Sequence, residues 1–260
     1  MAGFASDTDP RGVATITLDR SIIHNAFDDA LIASLTAELK RLADEPTLRA
    51  LVLAARGRSF SAGADLGWMQ RSAGYSEAEN LRDAQALAEL MRTLDTFPRP
   101  TLAAVQGNAF AGGLGLIACC DIAIAVDTAE FAVTEVKLGL IPAVISPYLI
   151  AAIGARAARR YFLTGERFDA PTALRLGLVH EIVQPDQLPV AVERAILALL
   201  DGGPVSHGAA KELIRRVSGA RVSKTLIADT AKRIAKIRVS PEGREGIAAF
   251  LEKRKPAWRQ

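Results

Sequence analysis

The sequence predicts an α/β fold. Three observations carry the prediction: short apolar runs read as strands, each is followed by a segment with helical spacing, and helical patterns prevail beyond Ile145. Val13 to Leu18 alternates β-branched and small residues and reads as a strand. Asp28 opens an amphipathic helix through Leu31, Leu35, Leu39 and Leu42 to about Ala43. Leu48 to Ala54 is short and apolar, a second strand. Arg56 to Leu66 is a loop of small residues, and a polar stretch then leads into a helix from Ser76 to Leu94, ended by Pro98 and Pro100. Thr101 to Gln106 is the third strand, Ala111 to Ala118 a glycine-rich buried helix, and Asp121 to Val126 the fourth strand. Helices are expected over Ser146–Ile153, Arg156–Leu163, Ala170–Leu176, Leu188–Leu200, Pro204–Ser218, Val222–Val239 and Pro241–Lys253, with Leu178–Val183 as one short strand among them.

Composition narrows the class. The 260 residues are 50% hydrophobic and 23% charged, enough for a sizeable core, and no low-complexity tract or internal repeat divides them. Met1 is followed by neither a basic nor an apolar leader segment, and no apolar run reaches the roughly 20 residues of a membrane span, so a cytoplasmic protein is expected. Cys119 and Cys120 are adjacent in an apolar run and read as buried small hydrophobes. His24, His180 and His207 lie far apart, so no metal site is indicated, and no G-x-S-x-G elbow occurs. From Ser206 onward there are 14 Lys and Arg against 5 Asp and Glu, a local +9 in a chain of net +3, so the first 205 residues carry −6. The basic residues alternate with apolar ones at helical spacing. That pattern suits a solvated helix face better than a nucleic-acid patch, and leaves a smaller anion such as a nucleotide phosphate as the specific alternative.

Two glycine-containing loops stand out. Gly113 to Ala118 matches G-x-G-x-x-A with Glu135 about twenty residues on, the elements of a dinucleotide fingerprint. The preceding strand ends near Gln106, six residues too early for that tight turn. A different reading pairs Ala62-Gly63-Ala64-Asp65 with Ala111-Gly112-Gly113, two places where small residues let backbone N–H groups approach a ligand. Two such groups converging on one carbonyl oxygen form an oxyanion hole, each donor worth about 3–4 kcal/mol. Tight helix–strand packing explains the same glycines equally well.

The strings FSAGADLGWMQ, VQGNAFAGGLGLIACCDIAIA, FAVTEVKLGLIPAVISPYLIAAIGARAARRYFLTGERFDAPTALRLGLV and GIAAFLEKRKP, in this order, resemble the enoyl-CoA hydratase/isomerase (crotonase) superfamily from about Val13 to Trp258. The resemblance implies a crotonase-like spiral of ββα units over residues 1–200 and a C-terminal helical trimerisation region over 201–260, assembled as a trimer or a dimer of trimers. It implies an acyl-CoA thioester as substrate, with coenzyme A part of that substrate and no separate cofactor or metal. By position, the oxyanion-hole donors fall on Ala64 and Gly112, and the acid/base on Glu135. Ala62, Asp65 and Leu66 match the stretch that contacts the adenine end, mostly through backbone, while Phe250 and Lys253 match residues that reach a neighbouring subunit's CoA. The first of the family's two catalytic glutamates is replaced here by Gly115. Its position is read as vacated room for a branched acyl group or its carboxylate.

Within the superfamily the strings are most similar to bacterial 3-methylglutaconyl-CoA hydratases of leucine breakdown. The expected function is hydration of a short or branched 2-enoyl-CoA, with 3-methylglutaconyl-CoA as best single substrate. The alternatives are an enoyl-CoA isomerase working with one glutamate and a non-enzymatic CoA- or RNA-binding scaffold. The acyl pocket is expected to draw its walls from Trp68 to Gly74 and from Ile141 to Tyr148, with Arg71 or Lys137 as possible partners of a substrate carboxylate.

Overall fold

In the computed structural model, which describes residues 3–259, the chain winds as a spiral of ββα turns. An N-terminal hairpin of β1 (Phe4–Thr8) and β2 (Val13–Leu18) precedes α1 (Asp29–Ala43). Then β3 (Ala50–Ala55) and β4 (Ser59–Ser61) lead to α2 (Leu66–Ser72) and α3 (Glu77–Asp95). The pattern repeats with β5 (Thr101–Val105), β6 (Asn108–Phe110) and α4 (Gly112–Cys119), and again with β7 (Ile122–Val126), β8 (Glu130–Ala132) and α5 (Ser146–Thr164). After β9 (Phe168–Asp169), α6 (Ala170–Leu176), β10 (Glu181–Val183) and α7 (Leu188–Leu200), the chain ends in α8 (Pro204–Val217), α9 (Lys224–Arg238) and α10 (Pro241–Leu251).

The first strand of each turn joins one sheet and the second joins another. The larger sheet runs β1-β2-β3-β5-β7-β10 and the smaller β4-β6-β8-β9. From β2 to β10 the larger sheet is parallel, with Leu53 opposite Ala103 and Ala103 opposite Ala123. Its inner strands are buried along nearly their whole length, as a parallel sheet covered on both faces requires. The core centres on Phe27, Phe60, Phe97 and Phe131, all fully buried.

Local chemistry sets the element ends. Asp28 caps α1 by accepting the Leu31 N–H, and Ser76 forms a reciprocal capping box with Glu79 at the start of α3. The expected pair of helices over 146–163 is present: α5 is two helical segments that meet at a kink at Gly154, whose φ of 74° with ψ of 153° strongly favours glycine. The last helices are tied to the sheet by a buried cation. Lys211 of α8 is 8% exposed, and its ammonium donates to Asp121 Oδ2 at 2.6 Å and to the Arg99 carbonyl at 3.0 Å. Arg49 at the foot of β3 donates to the carbonyls of Leu200, Gly202 and Trp258, holding the end of the chain against the core.

Several elements differ from expectation. The segment 56–66 is not all loop, since it contains β4 and the start of α2. β1 and the smaller sheet had no forecast at all. Strands of two or three residues, such as Ser59–Ser61 and Asn108–Phe110, are too short to show a period, and they form because the neighbouring turn of the spiral offers a parallel edge.

Candidate functional site

The candidate site is a cavity of about 380 Å³ where the first two turns of the spiral meet the segment after β8. Its floor is made by two loops. In the first, Phe27 donates its N–H to Gly63 O and accepts from the Asp65 N–H, both at 2.7 Å. In this isolated parallel bridge Ala64 lies between the two bonded residues, so its own N–H points off the opposite edge. Ala64 is exposed and lines the cavity. In the second loop Ala111 holds φ 47° and ψ −118°, a conformation costly for any residue with a Cβ, and Gly112 follows as the first residue of α4. A first-turn N–H has no acceptor within its helix, so that of Gly112 is open to the cavity it lines.

Close packing brings these loops together. A Cβ on Gly63 would stand 3.0 Å from Ala111 Cβ and 3.6 Å from Gly112 N, and one on Gly113 would stand 2.7 Å from Ser61 O. Packing, one of the two readings of these glycines in the sequence, is thus borne out by their contacts. Gly113 and Gly115 are both buried. The contacts of Gly113 with Ser61 and of Gly115 with Ile145 and Met91 account for both glycines of the dinucleotide-like string without a pyrophosphate.

Glu135 enters the cavity from a 3-10 turn over Glu135–Leu138, closed by Gly139 at φ 72° and by the Leu140 N–H donating to Glu135 O. Its Oε2 is buried and has no hydrogen-bond partner. Burial pushes this carboxyl above its ordinary range, only partly opposed by a hydrogen bond from its own backbone. A partly desolvated carboxyl with one oxygen left without a partner can take up and return a proton, and two N–H groups lie in the same cavity, where they could meet a developing oxyanion.

The walls are apolar with a polar stripe. Trp68, Met69 and Ser72 come from α2, as expected, and Ile141 to Ile145 from the segment before α5, whereas Tyr148 is not part of the lining. Sequence reasoning missed Phe27, Thr134, Leu138 and Leu140 in the lining, and a whole wall from α3: Asn80, Asp83, Ala84 and Leu87, whose spacing puts them on one helix face. Asp83 accepts the Trp68 indole N–H at 2.8 Å, pinning α2 to α3, and is a second carboxylate in the lining beside Glu135. Among the described residues no Lys or Arg lines the cavity. Arg71 pairs with Asp29 at 2.8 Å, and Lys137 lies against Gly165.

The other expected site residues are distributed unevenly. Ala62 lines this cavity and also a smaller pocket of about 360 Å³ formed with His24, Arg58, Asn108 and Phe110. Its N–H is committed to His24 O. Asp65 lines neither; its side chain caps α2 by accepting the Trp68 N–H at 3.0 Å and its own N–H is the one bonded to Phe27, so of its backbone polar groups the N–H is already committed. Leu66 is exposed and outside both pockets. Phe250, 82% exposed, and Lys253 lie on α10 and just beyond it, and line neither pocket of their own chain.

Gly115 requires a correction. It is buried and not part of the lining, and the space in front of it is filled: a Cβ there would fall 2.4 Å from Ile145 Cγ2 and 3.1 Å from Met91 Cε. The missing side chain makes room for Ile145 and not directly for an acyl group. The basic C-terminus is also partly neutralised, with Arg233 paired to Asp229 and Glu212, and Arg254 to Glu245 and Glu252.

Relatives share this architecture over the whole chain. The sequence pattern of the enoyl-CoA hydratase/isomerase family matches residues 8–260. The crystal structure of an enoyl-CoA hydratase from Shewanella pealeana superposes with a TM-score of 0.96 at 48% identity, covering 98% of this chain and 96% of that one. The mitochondrial enoyl-CoA hydratase domain-containing protein 3 of Xenopus laevis is 31% identical over 251 residues, 95% of this chain and 83% of its own length. The trans-2-decenoyl-[acyl-carrier-protein] isomerase of Streptococcus mutans is 29% identical over 249 residues, 94% of each chain. A ββα spiral, a carboxylate oxygen buried without a partner in the same cavity as two small-residue loops, and full-length similarity converge on one conclusion: the chain is an enzyme of the enoyl-CoA hydratase/isomerase family, the crotonase superfamily.

Proposed function

We propose that the protein hydrates a short or branched 2-enoyl-CoA thioester with Glu135 as its one acid/base. The observation that carries this reading is the buried, partnerless Oε2 of Glu135 in the same cavity as Ala64 and Gly112. The N–H groups of Ala64 and Gly112 bind the thioester carbonyl oxygen. Glu135 takes a proton from water as the water oxygen bonds to C3, and the C2–C3 π electrons move into the thioester to form the enolate, which the two N–H groups stabilise. Protonated Glu135 then returns its proton to C2 and the carbonyl re-forms, so one water is added and the enzyme is restored. A carboxyl held above its ordinary range suits both halves of that exchange.

The reaction draws on no cofactor beyond the substrate's own CoA, and the setting is the cytoplasm. The adenine end follows Ala62 into the pocket of His24 and Arg58. The active assembly is a trimer or a dimer of trimers, formed through the C-terminal helices, in which Phe250 and Lys253 reach the CoA of a neighbouring copy; the exposure of Phe250 supports that reading. The sequence motifs favour 3-methylglutaconyl-CoA. The lining, with two carboxylates and no cation among the described residues, favours neutral branched or linear enoyl esters. Isomerisation is the second reading, favoured because Ile145 stands where a side chain on residue 115 would begin: with Glu135 alone, a proton can be moved from C2 to C4 of a 3-enoyl ester, forming the 2-enoyl isomer.

A panel of 3-methylglutaconyl-CoA, crotonyl-CoA, 3-methylcrotonyl-CoA and a 3-enoyl-CoA, followed at the enoyl-thioester absorbance, tests the proposal. Loss of absorbance from 2-enoyl esters that disappears in Glu135→Gln is the expected result. Gain of absorbance from the 3-enoyl ester alone overturns hydration in favour of isomerisation.

A further inference from the structure

The contact between α4 and the segment before α5 holds a pair of residues that cannot vary independently. Non-bonded carbons settle at about 3.5–4.0 Å, yet a Cβ on Gly115 would meet Ile145 Cγ2 at 2.4 Å and Ile145 Cβ at 3.1 Å. Met91 Cε, also at 3.1 Å, ends a flexible chain and can yield. Ile145 cannot. It is β-branched and therefore stiff at χ1, it is 2% exposed, and its backbone is fixed because its carbonyl accepts the Leu149 N–H at the start of α5. The same Ile145 lines the acyl cavity, as do its neighbours Val144 and Ala143.

We infer that Gly115 and Ile145 together form a specificity determinant, in which the absence of a side chain at 115 lets the branched side chain of 145 stand as an apolar wall of the acyl cavity. The inference rests on the proposed acyl-CoA chemistry and adds the residue that shapes the acyl end. Ile145 occupies the volume that a carboxylate on residue 115 would need, leaving acid/base work to Glu135. It also turns hydrocarbon, not a charged group or its water, toward the bound acyl chain. The size of the acyl group accepted is therefore set by the volume at 145, and the volume at 145 is permitted by the glycine at 115.

A double-mutant cycle read by thermal unfolding tests the coupling without any substrate. Gly115→Ala in the native background is expected to lower Tm by about 3–10 °C through overpacking. In the Ile145→Gly background the same change is expected to leave Tm unchanged or raise it, since Ala fills the space and suits a helix better than Gly. Equal losses in both backgrounds overturn the coupling. Specificity is read by calorimetric binding of butyryl-CoA and isovaleryl-CoA, saturated esters that bind without reacting. Ile145→Gly is expected to shift the ratio of the two affinities about tenfold toward the bulkier ester. If both esters bind the native protein and the ratio is unchanged in the variant, the specificity role is wrong while the acyl-CoA reading stands. If neither ester binds the native protein, that reading fails and takes the specificity role with it.

Discussion

Replacing Glu135 by Gln keeps the size of the side chain and removes its charge and its transferable proton. The structure assigns opposite signs to the two consequences. For turnover, the carboxyl serves as base and acid in one cycle, so its loss is expected to lower kcat by about 10²–10⁴-fold. At 1.36 kcal/mol per tenfold, that is about 2.7–5.4 kcal/mol of transition-state stabilisation. KM should change little, because the thioester oxygen is still met by the N–H groups of Ala64 and Gly112. For stability, Oε2 is buried without a partner and burial raises the carboxyl above its ordinary value of 4.5. Between 4.5 and the raised value the folded state holds a proton that the unfolded state has released, so stability falls as pH rises through that window. Above it, the native protein carries the cost of a partly desolvated charge, which Gln lacks. Urea unfolding of both proteins from pH 4 to pH 8 is the assay, alongside turnover. The Gln variant is expected to be the more stable at pH 8, with the advantage vanishing as the pH drops below the ordinary carboxylate value. A variant that is less stable at pH 8, or an advantage independent of pH, refutes the account of Glu135 as a desolvated carboxyl whose Oε2 lacks a partner. Full activity in the variant refutes its role in proton transfer.

Three other perturbations probe the scaffold and the assembly. Lys211→Met leaves Asp121 and the Arg99 carbonyl without their buried cation; a loss of about 3 kcal/mol, or roughly 6–12 °C in Tm, is expected by calorimetry, and an unchanged Tm counts against the anchoring of α8. Ala111→Gly relieves a backbone at φ 47° costing about 1–3 kcal/mol and adds about 0.5–1 kcal/mol of chain entropy; the net expected gain is about 1 kcal/mol in chemical unfolding, and a loss would mean that the turn is not strained. Phe250→Ala should leave Tm within about 2 °C, as expected for an exposed side chain, while raising KM for acyl-CoA several-fold if α10 reaches a neighbour's ligand; an unchanged KM removes Phe250 from the CoA site.

Elements with a long period were legible in the sequence. Leu31, Leu35, Leu39 and Leu42 face the core from α1 as their spacing requires, and the buried strands β3, β5 and β7 follow from apolar runs bounded by turns. The smaller sheet was not legible, because Ser59–Ser61 and Asn108–Phe110 become strands only when the spiral lays one turn beside the next. The site divides the same way. Ala64, Gly112 and Glu135 were found from their motifs and lie in one cavity. The α3 wall was missed since Asn80, Asp83, Ala84 and Leu87 resemble any amphipathic helix face until something is placed opposite them.

Gly115 and Asp65 show where local reading stops. A glycine in place of a carboxylate looks like open space in a one-dimensional string, but thirty residues later the chain returns with Ile145 and fills it. Asp65, expected to contact the adenine end mostly through backbone, has its side chain engaged in capping α2, a role its string alone did not reveal. Local propensity, periodicity and short motifs determine which segments become strands and helices and which residue types are available for chemistry. Which of those residues share a cavity, and which empty volumes stay empty, depends on non-local packing among segments far apart in the chain, because a close-packed interior leaves a void only where no neighbour can reach it.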